Sequence, residues 1–306
     1  MSGSAWLHGL WKASSIEIWR RLGLKSLLVA AAFLCVAAFL LLTLLPSKRS
    51  FLVVAQTGIA DLAFEATANT WNFPAATLCR LKPVPDPRAP SGSGPCNAGV
   101  YEVTDPSPVT IEWDAGAALR MTMEGDGLVL TILSGQSDLP DRTRVVVERD
   151  ALSEAGALPF AARLTLGAPI SAGQRQFLEG GRWEARETGI MTSLLRSNVT
   201  EVVKAGEIVR GSTLTVHNAD GPAVMLGHLT SSGTEDDPHL EVVALSRPGA
   251  RNLEVAYFGM AEPTIIRPDL IDAALSSPLI LAFGILLSLI AAGMQILKDL
   301  RNPRLD

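Results

Sequence analysis

The heptapeptide ALRMTME, Ala118–Glu124, decides the fold class. Leu119, Met121 and Met123 alternate with Arg120, Thr122 and Glu124. Successive side chains of a strand point to opposite faces, so this period of two describes one apolar and one polar face. A helix would repeat its apolar residues every three to four positions instead. The Asp126-Gly127 pair that follows is turn chemistry, since glycine reaches positive φ freely and aspartate bonds back to its own backbone.

Outward from this stretch the alternation returns in ARLTLG (Ala162–Gly167) and STLTVH (Ser212–His217). LEVAYF (Leu253–Phe258) alternates with both faces fairly apolar, which suits a strand near the middle of a sandwich. Gly180-Gly181, Asp220-Gly221 and Pro248-Gly249 punctuate the runs. Roughly fourteen candidate strands result, with no sustained helical pattern between them. Short strands without intervening helices predict an all-β antiparallel domain, a β-sandwich or a jelly roll. Only Gly189–Arg196 reads as a short helix. A seam at 152–159, within ALSEAGALP, either divides two sandwich halves or is one long crossover.

Two apolar runs flank this domain. SLLVAAAFLCVAAFLLLTLL fills residues 26–45 and PLILAFGILLSLIAAGMQIL fills residues 278–297, both without a charge. At about 1.5 Å per residue, twenty helical residues cover the roughly 30 Å hydrocarbon layer of a bilayer. Both runs therefore read as transmembrane helices, and TLLPSKRS offers no small-x-small cleavage site that would make the first a removable leader. Lys12, Arg20, Arg21 and Lys25 precede the first run and Lys298, Arg301 and Arg304 follow the second. Basic residues stay on the cytoplasmic side, so both termini are expected inside, with residues 46–277 exported as a periplasmic domain. This expectation is of a two-pass protein of the bacterial inner membrane, with residues 298–306 as a cytoplasmic tail. Residues 1–25 place Leu7, Leu10, Trp11, Ile18 and Leu22 near one helical face, an amphipathic segment anchored in the lipid interface by Trp6, Trp11 and Trp19. Gly284, Ser288 and Ala292 recur at steps of four, a stripe of small residues suited to helix packing, including self-association into a homo-oligomer.

The formal net charge is −5. Residues 46–277 carry the acidic excess, 28 Asp and Glu against 19 Lys and Arg. A domain of that sign does not attract nucleic acid. Cys79 and Cys96 flank the Pro-, Gly- and Ser-rich KPVPDPRAPSGSGP, and a disulfide between them would close a loop with little else to hold it. Cys35 lies inside the first apolar run and reads as a packing residue.

Chemistry is harder to find. His217, His228 and His239 recur at intervals of eleven, and three imidazoles from adjacent strands could bind zinc or copper. Hairpins of this length produce the same spacing, and the compact pairs H-x-H and H-x-x-x-H are missing, so no metal or other cofactor is assigned. There is no G-x-S-x-G elbow, no Walker A and no G-x-G-x-x-G after a strand. Asp114 beside Trp113 and Glu184 beside Trp183 would suit a sugar-binding or partner surface, while such tryptophans also cap sandwich cores. The reading that follows is non-catalytic: a scaffold or accessory subunit whose β domain binds another envelope protein. The alternatives are a ligand sensor, for a glycan among others, that signals through a separate partner, and an envelope hydrolase or metal-dependent enzyme.

Overall fold

The structure, a computed structural model, describes residues 48–65, 69–86, 88–89, 94–125, 127–170, 176–188, 200–233, 237–260 and 262–269, with isolated positions at 272, 284–285, 288–289 and 292. The chain divides into two compact units. Met1–Ser47 with Gly189–Val199 lies outside the described residues, and Lys48–Thr188 with Thr200–Asp306 holds all that follows.

The first half contributes β1 (Lys48–Thr57), β2 (Ile59–Phe64), β3 (Asn69–Leu81), β4 (Tyr101–Val103), β5 (Ser107–Trp113), β6 (Ala118–Glu124), β7 (Gly127–Ser134) and β8 (Arg144–Glu148). A short helix, α1 (Arg149–Ala155), precedes β9 (Leu158–Leu166), β10 (Leu178–Thr188), β11 (Glu201–Ile208) and β12 (Thr213–His217). The last strands are β13 (Val224–Gly233), β14 (Pro238–Ser246), β15 (Asn252–Ala256) and β16 (Thr264–Ile266). ALRMTME is β6, with Leu119, Met121 and Met123 buried as its alternation predicts. The 152–159 seam is where α1 sits, with Ala151 and Leu152 turned into the core.

All pairings are antiparallel, and the strands join one sheet in the order β11-β10-β1-β14-β13-β9-β2-β6-β7-β8-β3-β4, with β12, β15, β16 and β5 off this path. The expected sandwich or jelly roll is thus corrected to a single continuous sheet that closes on itself. The reason lies at Gly58. It alone separates β1 from β2, yet β1 bonds to β10 and β14 while β2 bonds to β6 and β9. The stretch β1-β14-β13-β9-β2 therefore begins and ends on one bent strand run, and its inward side chains share one core. A second closure shares β2 and β9. From β9 the sheet runs through β2, β6, β7 and β8 to β3, and Trp71 on β3 returns to β9 by donating its Nε1–H to the Pro159 carbonyl at 2.7 Å. Proline has no N–H to offer a ladder, and at Pro159 the free carbonyl takes its bond from the indole donor.

The expectation of two transmembrane helices flanking the domain is also corrected. Among the described residues no helix is long and apolar enough to cross a membrane, so the two-pass inner-membrane architecture and location are not supported. An uncharged run of twenty residues meets a length criterion; it does not by itself supply the continuous helix that a span requires. Residues 26–45, and 278–297 apart from the isolated positions, lie outside the described residues, as do Trp6, Trp11, Trp19 and the expected helix at Gly189–Arg196. Gly284, Ser288 and Ala292 are helical and exposed, and Ser288 Oγ donates to the Gly284 carbonyl at 2.9 Å.

Candidate functional site

Trp113 and Trp183, read from sequence as a ligand or partner surface, are 1% and 5% exposed. The first stacks on Phe64 with ring centroids 5.1 Å apart and meets Trp71 edge-on, also at 5.1 Å. The second lies against Gly206, where an added Cβ would fall 2.8 Å from the indole ring. Both are core residues, which corrects the surface reading. β5 ends at Trp113 and β10 pairs Trp183 with the inward Val53, so pleat parity turns both rings inside.

The three histidines do not converge. His217 Nε2 faces Glu254 Oε2 at 3.1 Å. His228 pairs with Val243 and His239 with Ser232, which puts them four ladder steps, about 13 Å, apart. His239 Nε2 is shielded from solvent without a hydrogen-bond partner. Among the described residues no group of three His, Cys, Asp or Glu is placed to hold a metal ion. Cys79 and Cys96 are joined, their Cα atoms 5.8 Å apart.

The distinctive surface is the outer face of β9, β13, β14 and β1. Register places Ala161, Leu226, Leu245 and Leu52 side by side in one row across the four strands. Pro159, His228, Val243 and Val54 form the next row. Leu226 is 46% exposed and Leu245 39%, although both lie on strands paired on either side. The first row is a run of neighbouring apolar side chains and the second is interrupted by His228, so the face is a candidate contact surface. These residues were not singled out from sequence. The signal was lost alternation: FLVV, VML and VVAL put apolar residues on both faces of β1, β13 and β14.

Charges border the rows; some are paired within the domain, while Arg182, cross-strand from Val54, and Glu241 and Arg247 of β14 and its end are in no ion pair among the described residues. Arg163 bonds Glu65 at 2.7 Å, Arg186 bonds Glu184 at 2.7 Å, and Arg120 bonds Asp61 at 2.8 Å. At one end of the face the β12–β13 and β14–β15 connections both leave the ladder, opening a cleft of about 370 Å³. Its lining includes Glu65, Asp220, Val224, Arg247 and Ala250. Backbone bonds fix its shape: Arg247 N–H to the Val224 carbonyl at 3.1 Å, Gly249 N–H to the Arg49 carbonyl at 2.8 Å, and Asn218 N–H to the Gly221 carbonyl at 2.8 Å.

No protein-family model matches the chain, and no curated protein matches it. A solved structure described as the crystal structure of HCR/D-Sa-GBL1/C aligns over 67% of this chain and 79% of its own at 6% identity, with a TM-score of 0.09. A likeness at that level carries no argument.

Proposed function

We propose that the chain is a non-catalytic scaffold or accessory subunit whose β domain holds another protein. The observation that carries this reading is the apolar row Ala161, Leu226, Leu245 and Leu52 across β9, β13, β14 and β1, whose two central leucines are exposed. The glycan alternative drew on Trp113 and Trp183 as surface rings, and both are buried.

The test compares what co-purifies with the full chain and with the variant Leu226→Glu/Leu245→Glu, using Ile265→Glu on β16 as a control at a distant exposed position. A stoichiometric protein retained by wild type and control, and lost from the face variant, is the expected result. Identical profiles for all three would remove the face from the function.

A further inference from the structure

We infer that the Cys79–Cys96 bridge is a redox latch: a dithiol reductant opens it, frees Pro95 and Cys96 from β8, and uncovers the Arg144 guanidinium. None of these residues belongs to the apolar row on β9, β13, β14 and β1, so the latch stands apart from the protein-binding reading.

Cys79 is fully buried, yet it is not part of the hydrophobic core. Its neighbour Leu78 packs on that core and pairs with the buried Val145 of β8. Strand parity therefore turns Cys79 and Arg144 to the opposite face. Register sets the two directly across from each other, with Cβ atoms about 5 Å apart. The bridge draws the half-buried Cys96 onto this face, and its segment is what covers Cys79 there.

Few bonds hold that segment down. Asn97 folds a turn at its base: the Asn97 carbonyl accepts the Val100 N–H at 2.9 Å and the Tyr101 N–H at 2.8 Å, and Oδ1 accepts the Gly99 N–H at 2.8 Å. The turn does not depend on the bridge. Ahead of it, Pro95 has no N–H to offer. Among the described residues Pro95 and Cys96 have two attachments, the bridge and the bond that an Arg144 terminal N–H donates to the Pro95 carbonyl. That guanidinium lies 5.2 Å from the centroid of the Tyr101 ring, and Arg144 Nε is shielded from solvent without a partner. Once the bridge is cut, a single hydrogen bond keeps Arg144 covered, and opening gives its unpartnered Nε access to water.

The unequal burial of the two cysteines sets the course of the exchange. An incoming thiolate attacks Cys96 Sγ, on the more accessible residue. The S–S bond breaks and its electron pair leaves on Cys79 Sγ, as a thiolate that the cation of Arg144 stabilises. The second thiolate of the reductant then attacks the reductant's own sulfur in the mixed disulfide. This closes the reductant into a cyclic disulfide and releases Cys96. Two electrons pass from the dithiol to the bridge; of its two protons, one goes to Cys96 and one to solvent.

The test takes the full chain, oxidised or treated with dithiothreitol, and labels it with phenylglyoxal, a reagent for accessible guanidinium groups, with sites read by mass spectrometry. Arg49, largely buried in its pair with Glu187, reports opening of the whole fold. Arg144 is expected to label about tenfold faster after reduction, and in Cys79→Ser/Cys96→Ser without reductant, while Arg49 does not change. Dithiothreitol is expected to open the bridge of Arg144→Met about threefold more slowly than that of Arg144→Lys, which keeps a cation beside the leaving sulfur. An Arg144 rate indifferent to reduction would overturn the latch, as would a bridge that dithiothreitol opens only in denaturant. Acceleration of Arg49 together with Arg144 would overturn it too, making the bridge a staple of the whole fold. Equal reduction rates for the Met and Lys variants would overturn the stabilised thiolate.

Discussion

At the scale of single residues, two polar groups carry most of the electrostatic consequence. Arg49 Nε donates to Glu187 Oε1 at 2.6 Å, and both side chains are largely buried where β1 meets β10. Removing one partner of such a pair strands the other charge, at a cost of about 3 kcal/mol, whereas replacing both with apolar groups is far cheaper. Arg49→Met is therefore expected to lower the urea midpoint markedly and Arg49→Met/Glu187→Leu to recover most of the loss; strictly additive effects would show that the pair is not coupled. Asp114 acts at the surface. Its carboxylate accepts the Ser137 N–H at 2.8 Å, and that bond, helped by the Ser137 hydroxyl, holds its pKa below the ordinary aspartate value of 3.8. A depressed folded pKa means that the stabilisation is present above the unfolded value and is lost as pH falls through the folded one. Asp114→Asn should thus destabilise the protein at neutral pH and flatten the acid limb of its stability profile. An unchanged limb, or an Asp114 resonance titrating at or above 3.8 by NMR, would contradict the assignment.

At the scale of elements, the edges of the sheet are where covalent and steric devices replace ladder bonds. The Cys79–Cys96 bridge spans 17 residues between the end of β3 and the approach to β4. Closing a loop of that size stabilises by about 3 kcal/mol on the chain-entropy estimate. Cys79→Ser should therefore lower the melting temperature under oxidising conditions, and leave a protein whose stability no longer responds to reductant; a wild type indifferent to reductant would count against the bridge. On β11 the device is an absence of side chain. Gly206 leaves room for the Trp183 ring to cover the inner face beside this terminal strand. Gly206→Val should push the indole outward and red-shift its fluorescence; an unshifted spectrum in a folded variant would mean the ring had another place to go. The elements were largely legible beforehand, because the strands with one wet face, such as β6, β9 and β12, alternate cleanly. The pairing order was not. Period two assigns residues to faces but says nothing of which strand lies beside which, and FLVV in β1 reads the same whether its outer face is covered or bare. The tryptophans misled for a related reason: a neighbouring carboxylate suggests a sugar site, while parity, known only once β10 is paired, turns Trp183 inward.

At the scale of the whole molecule, the closure at Gly58 decides how the domain unfolds. β1 and β2 are one strand run, but β1 draws its ladder partners from β10 and β14, and β2 draws one of its own from β9. Every strand after α1 that completes the first closure thus lies in the second half of the chain, and the run that it completes lies in the first. The seam at 152–159 looks from sequence like a place where two sandwich halves could part, yet α1 packs on β3 and touches β7, β8 and β13, tying the halves together there. Without the other half, β1 loses both β10 and β14, and β2 and β9 lose each other. Residues 48–156 and 157–269 expressed separately are expected to remain unfolded, and residues 48–269 together to melt in one transition. Calorimetry is the decisive measurement, since a two-state domain gives equal calorimetric and van't Hoff enthalpies. Two resolved transitions, or a cooperative melt from either fragment alone, would show that the β1–β2 run can be satisfied within one half and that the shared closure is not what holds the sheet together. The same logic protects the outer face of β13 and β14. Leu226 and Leu245 point away from the closure, so charging them should leave the single transition in place within about 1 kcal/mol, as surface substitutions generally do, while removing what binds. A face variant that melts much lower than wild type would mean instead that these leucines are buried against part of the chain itself.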